Sequence, residues 1–328
     1  MQANRRYLCI TIFFGAAFAV GQPTAGSVDS HVAAARAAGA KNFPGLFDRL
    51  CSAEALNPLP PRPAAAAPAA PPRPATPDRS TWHAEPAKVF DNLYFFGEKE
   101  YSVWAVTTPD GIIVIDTIFG YSVEDEVAGG MKKLGLDPKT IKYAIVSHGH
   151  NDHVGGAWYL QEHFGTRVIM SAADWDLVDR SPGIPSKPKR DMVATDGMKL
   201  SLGGTTLTLY LTPGHTPGTI STLVPVTDRG QPHLAAAWGG TAFNFARSPD
   251  AFRTYIRSAE RFRTIVTDAG ADVVIANHTN FDGTKEKIPA LAARRAGDPH
   301  PYVVGKSAVI GYLTLASECA TAAMLSLK

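Results

Sequence analysis

Ser147-His148-Gly149-His150-Asn151-Asp152-His153 is the stretch that decides the fold. Four side chains able to ligate a metal, three His and one Asp, fall within the six residues 148–153. Ahead of them Lys142-Tyr143-Ala144-Ile145-Val146 reads as a strand, because β-branched and aromatic residues dominate it. Behind them Val154-Gly155-Gly156-Ala157-Trp158 reads as a helix start. The junction of strand end and helix start is where α/β proteins keep their chemistry. Positions two apart on an extended stretch point the same way, so His148 and His150 can reach one metal ion together. Asp152 and His153 follow where the chain turns into the helix, and suit a second ion. A single histidine is more often a surface or core residue than a ligand, but a polar loop does not explain this density.

The pattern His-x-His-x-Asp-His resembles the signature of the metallo-β-lactamase superfamily, and two later strand ends supply the remaining histidines. Thr205 to Leu211 runs into Thr212-Pro213-Gly214-His215-Thr216-Pro217-Gly218, a His pinned in a rigid turn. Val273-Val274-Ile275-Ala276 runs into Asn277-His278. The resemblance implies two zinc ions per chain, one held by His148, His150 and His215, the other by Asp152, His153 and His278. Three protein ligands leave a position for water, the arrangement of catalytic zinc. Asp152 would also orient the attacking hydroxide, as a catalytic residue. Asp116, which ends the apolar strand Ile112-Ile113-Val114-Ile115, would orient a ligand histidine from behind; a strand-end cap is the alternative.

Many superfamily hydrolases, glyoxalase II types and lactonases among them, carry a Gly-Asp pair whose carboxylate bridges the metals. Here Gly239-Gly240 stands in its place, and no cysteine lies nearby. The whole pattern is most similar to the third subclass of class B β-lactamases. Covering about residues 85–300, it implies an α/β (α+β) fold, the four-layer αββα sandwich. It further implies a dizinc hydrolase that opens a cyclic amide, with a lactone, ester or thioester as the alternative substrate. A module that holds metal without turnover would show a lost ligand, and none is lost. A flavodiiron-type redox role would need a flavin-binding domain, and none is visible.

The rest of the chain frames this domain. Its 328 residues are 45% apolar and 19% charged, with formal net charge +2, a balance that gives no reason to propose a nucleic-acid partner. The expected partner is a small-molecule substrate. Arg5-Arg6 followed by the apolar run from Leu8 to Val20 reads as a secretory signal over residues 1–21, with cleavage near Gly21. That run falls short of the ~20 apolar residues that span a membrane, so no stable membrane insertion is expected after its removal. Export to a bacterial periplasm follows as an expectation. Residues 22–83 form an N-terminal extension with an Ala/Pro-rich linker from Pro58 to Pro77. Within it Phe43, Leu46, Phe47 and Leu50 form an apolar face, which packs back on the domain or merely precedes it. The hydrolase domain spans residues 84–328. Outside the signal, Cys51 and Cys319 either pair in an oxidising compartment or stay as buried thiols.

Smaller expectations complete the reading. Ser181 to Met192 is a long loop placed to border the site. His163 lies on a helix away from it, and His233 and His300 lie in exposed loops. Trp104, Trp158, Trp238 and Phe243 are core residues before they are pocket walls. Ser221 and Thr219 are either ordinary strand residues or donors to a substrate carboxylate.

Overall fold

Alternate residues of one central strand belong to two different cores, and this dictates the layering. The computed structural model describes residues 26–56 and 76–327; the signal segment and nearly all of the Ala/Pro linker lie outside the described residues. Seven strands form the first sheet in sequence order: β1 (Ala87–Lys88), β2 (Leu93–Gly97), β3 (Ser102–Thr108), β4 (Gly111–Ile115), β5 (Ile141–Ile145), β6 (Arg167–Ser171) and β7 (Met192–Ala194). The first four pair antiparallel and the last three add in parallel. The second sheet runs β12 (Val273–Ala276), β11 (Gln231–Trp238), β10 (Ile220–Asp228), β9 (Thr205–Leu211), β8 (Met198–Leu202), antiparallel except for the β11–β12 pair.

From β3, Trp104 and Val106 face the second sheet, where they pack with Leu207, Ile220 and Ile275. Val103 and Ala105 face outward onto Val127, Met131 and Leu160 of the covering helices. On the second sheet, Ala235 and Ile275 face inward, while Ala236, Trp238 and Val274 face an outer helical layer. Helices, sheet, sheet, helices: the expected αββα sandwich is the observed architecture.

In the described residues the helices are α1 (Val28–Ala35), α2 (Pro44–Leu50), α3 (Ala53–Leu56), α4 (Arg79–Trp82), α5 (Gly130–Lys133), α6 (Asn151–Val154), α7 (Ala157–Phe164), α8 (Ala172–Arg180), α9 (Pro249–Ala269), α10 (Thr279–Asp282), α11 (Thr284–Ala292) and α12 (Lys306–Leu325). Ahead of α5 the chain is already helical, with a π-helical segment at Glu124–Gly129. α12 is long and apolar enough to cross a membrane by composition, but most of its surface is buried in the core beside α9.

The N-terminal extension does pack back. Phe43, Leu46, Phe47 and Leu50 are buried with Trp238, Tyr255 and Tyr312 in the outer core of the second sheet. Each such side chain is worth about 1.5–3 kcal/mol when fully buried, so α2 is part of the sandwich. Cys51 and Cys319 are joined by a disulfide with a Cα–Cα separation of 5.2 Å, tying the end of α2 to α12. Beside it His31 of α1 meets Glu318 of α12 at 2.6 Å.

Two loop expectations are corrected. The Ser181–Met192 segment folds against α7 and α8, with Ile184 buried beside Trp175 and Val178, and the Lys189 amide donates to the Gln161 side chain. It lines no part of the cavity described below. His300 is buried, 5% exposed, because its Nε2 donates to the Val89 carbonyl and its ring stacks on Phe90. His233 is half-buried against Asp272 at 2.6 Å. Sequence placed both in loops, but His233 belongs to strand β11, paired with Val226, and the loop of His300 folds against Phe90.

Candidate metal centre

The first motif leaves β5 as a bend and enters α6 with His150 in the N-cap position. The helix therefore begins at Asn151 and already includes Asp152 and His153. The second motif leaves β9 at Thr212, and the third leaves β12 at Asn277 with His278 as the N-cap of α10. β4, β5, β9 and β12 thus end at the same edge of the sandwich.

Three imidazoles converge there. His215 Nε2 lies 3.0 Å from His148 Nε2 and 3.0 Å from His150 Nδ1. The tautomers are set from behind: His148 Nδ1 donates to the Gly239 carbonyl at 2.8 Å, and His215 Nδ1 donates to the Ala242 carbonyl at 2.5 Å. Both Nε2 atoms therefore present lone pairs to each other. Burial, followed by the neighbouring imidazoles, pushes His148 well down and His215 to about 3, so neither ring takes up a proton to relieve the contact. Lone pairs facing lone pairs at 3.0 Å, in rings held neutral, fit a shared cation and little else.

The adjacent corner is built differently. Asp116 Oδ2 accepts from His153 Nδ1 at 2.9 Å, while Asp152 Oδ2 stands 3.2 Å from His153 Nε2. That second contact is close but misaligned, and His153 Nε2 has no hydrogen-bond partner although its side chain is 1% exposed. Burial disfavours charge on His153, but the two carboxylates overcome it and hold the ring up at about 10. Burial would raise Asp152, yet His153 holds it well below the usual carboxylate range. This corner stabilises positive charge, and a cation at Nε2 satisfies both the orphaned nitrogen and Asp152. His148, Asp152 and His153 offer donor atoms within 4.8 Å of one another, as do His148, His150 and His215. His278 is more loosely placed, 3.7 Å from Asp152 Oδ2, with its ring centroid 5.1 Å from that of His153. All six expected ligands are gathered, His278 the least tightly.

Asp116 sits at φ +64°, a costly conformation for a non-glycine residue. The turn lets Oδ1 accept from the Ser147 amide at 2.7 Å and Oδ2 from the Ser147 hydroxyl at 2.9 Å as well as from His153. It therefore orients His153 and clamps the start of the first motif.

Sequence reading missed Asp174 on α8. This buried carboxylate accepts from the Gly149 amide (2.9 Å), the Thr216 hydroxyl (2.7 Å) and the Gly218 amide (2.9 Å), pinning the first histidine loop to the second. Its only sequence mark is ambiguous: Ser171-x-x-Asp174 reads as an ordinary helix cap. Asn277 was also missed. Its Nδ2 donates to the Gly239 carbonyl and to the Ser147 hydroxyl, linking three strand ends. Ser221 and Thr219 are fully buried and bonded to Thr212, Gly239 and Thr216, so neither reaches a ligand. Trp104, Trp238 and Phe243 are core, and Trp158 is exposed.

His148, His150, Asp152, His215 and His278 floor a cavity of about 440 Å³, with Arg49, Glu100, Tyr101, Asn244 and Asn280 around its wall. At its back lies Gly240, where a Cβ would stand 2.5 Å from His215 Cβ.

Residues 97–228 match the family model of the metallo-beta-lactamase superfamily. The chain carries a metallo-β-lactamase superfamily domain. By sequence, it is similar to the hydroxyacylglutathione hydrolase of Acidiphilium cryptum, 31% identical over 104 residues, which are 32% of this chain and 36% of that protein. It is also similar to the N-acyl homoserine lactonase AttM of Azorhizobium caulinodans, 29% identical over 192 residues, 54% of this chain and 73% of that one. Across the first curated relatives it spans between about a third and a half of their length, at 36%, 52% and 34%. Among solved structures, the subclass B3 metallo-beta-lactamase BJP-1 of Bradyrhizobium japonicum superposes with a TM-score of 0.61 at 25% identity, covering 72% of this chain and 91% of that one. The metallo-beta-lactamase GOB-18 of Elizabethkingia meningoseptica gives 0.61 at 22% identity, over 75% and 95%. The metallo-β-lactamase domain thus carries a histidine-rich metal site on a B3-like fold.

Proposed function

We propose that this is an exported dizinc hydrolase that opens the cyclic amide of a β-lactam. Gly240 is the observation that carries the reading. A carboxylate side chain at that position would need a Cβ 2.5 Å from His215 Cβ, so the bridging Asp of lactonase-type and glyoxalase II-type sites has no room. What remains is a three-histidine site beside an Asp-His-His site, the donor set of the B3-like reading. Export is supported by the signal-like N-terminus and by the Cys51–Cys319 disulfide, a bond characteristic of oxidising compartments.

The donors fit zinc: imidazole nitrogens, one carboxylate and a position left open toward the cavity. Zinc bound there supplies Lewis acidity, activating water near neutral pH and polarising the scissile carbonyl. His148, His150 and His215 hold the first site rigidly through the Gly239 and Ala242 carbonyls. Asp152, kept ionised by His153, would orient the attacking water. Asp116 fixes the face that His153 turns to the site. Tyr101, whose ring lies 5.0 Å from that of His278, walls the cavity as a neutral phenol, since burial raises its pKa.

The test is steady-state hydrolysis of a carbapenem and a cephalosporin by the zinc-loaded protein, before and after chelation. We expect kcat/KM on the order of 10⁴ M⁻¹s⁻¹ or more, abolished by chelator. Negligible β-lactam turnover alongside brisk hydrolysis of an acyl homoserine lactone or a glutathione thioester would sink this reading. It would favour the second, which the curated relatives support.

A further inference from the structure

The cavity needs something to recognise an anionic substrate, and the strand residues that sequence offered for this are spent elsewhere. Ser221 and Thr219 are fully buried and bonded within their own loops. Asp152 and Glu100 contribute negative charge to the wall, and Glu100 is held by Lys285 at 2.5 Å from outside. Arg49 is the one Lys or Arg among the described residues that line the cavity. No ion pair among the described residues involves it.

Arg49 comes from α2, in the N-terminal extension, and α2 is held in place from three directions. Leu46, Phe47 and Leu50 sink into the outer core. Cys51, two residues on, is bonded to Cys319 of α12. Gly45 lies so close to α10 that a Cβ there would come 2.2 Å from the Asn280 carbonyl oxygen. α10 begins directly after His278, so this contact sets Arg49 against the end of the metal site, with Asn280 and Asn244 beside it on the wall. The neighbouring cation Arg247 is engaged by the Ala55 carbonyl at 2.5 Å and lines the next pocket.

We infer that Arg49 anchors a carboxylate of the substrate, so that the N-terminal extension is the specificity-determining wall of the active site. The inference rests on the hydrolase reading above for its reaction, but not on the β-lactam ring. A substrate with a carboxylate a few bonds from its scissile carbonyl would bridge Arg49 and the metal edge.

The test compares a cephalosporin free acid with its methyl ester on wild type, R49A, R49K and R49E. For the acid, R49A should raise KM about ten- to hundredfold, the loss of one charge-assisted hydrogen bond or two, with kcat changed less than about threefold. R49K should recover part of the loss and R49E should be the weakest. For the ester, KM should be the same in all four proteins. Equal KM for the acid in wild type and R49A, or equal losses for acid and ester, would overturn the assignment. If wild type turns over no β-lactam, the proposed substrate fails, and the acid–ester comparison moves to whichever lactone or thioester is hydrolysed. If nothing is hydrolysed, calorimetric titration of the zinc-loaded protein with phenylacetate decides. Binding lost in R49A supports Arg49, and binding unchanged overturns it.

Discussion

At the residue scale the site is decided by atoms behind the ligands. The Gly239 and Ala242 carbonyls select the tautomers of His148 and His215, and Asp116 selects the face of His153. The six residues expected as ligands stood out in the sequence because one dense His/Asp cluster and two single histidines each follow a strand signal. Asp174 and Asn277 did not, since a buried carboxylate on a helix and a lone Asn carry no periodic mark; only their partners, from three other loops, reveal them. Gly240 shows how exacting this support is. G240D should not create a bridging ligand: its Cβ would displace His215, so zinc affinity measured by chelator competition should fall at least about tenfold. Tighter zinc binding in that variant would refute the steric argument. Glu98 gives a pH-dependent prediction. Burial is the main force that lifts its pKa from 4.5 to about 7, against the pull of the Ser122 and Tyr121 hydroxyls. The folded state thus favours the protonated form. The associated stability is complete below the unfolded value and is lost as pH rises through about 7, at most ~3 kcal/mol. In the same metal state, the melting temperature of E98Q should fall less steeply than that of wild type between pH 5 and 8. Parallel curves would show that Glu98 does not titrate there.

At the element scale, sequence periodicity found the strands because each buried strand alternates between two cores. It also found the apolar face of α2. It could not tell whether that face was used, because residues 57–75 separate it from the domain and a linker carries no information about where its ends dock. Tertiary contact decided the matter, through Gly45 against α10 and Cys51 against α12. Replacing both cysteines, C51S with C319S, should lower thermal stability by about 2–5 kcal/mol, the usual cost of removing a native disulfide. The loss should match that of wild type in reductant. It should also raise KM for acidic substrates, since α2 would sample undocked positions. A double variant with wild-type KM would mean that the buried face alone holds Arg49 in place.

At the scale of the whole molecule, the two sheets bring β4, β5, β9 and β12 to one edge; three loops far apart in sequence carry the expected donors, and Asp116 at the end of β4 backs them. Metal should therefore stabilise the entire sandwich. Chelation should lower the melting temperature by about 5–10 °C, given ~2.7 kcal/mol per site at a hundredfold excess over Kd. An unchanged transition after complete metal loss would show that the donors do not share the load of folding. The disulfide has a consequence for biosynthesis as well. Its halves lie at residues 51 and 319, so the bond cannot form until residue 319 has been made. A protein crossing a membrane from its N-terminus presents the segment bearing Arg49 first and secures it last. If the protein is exported as proposed, new chains would thus pass through a period in which the expected ligands can gather but the wall above them stands open. In that period the enzyme would be least selective, and most dependent on the oxidant that meets it.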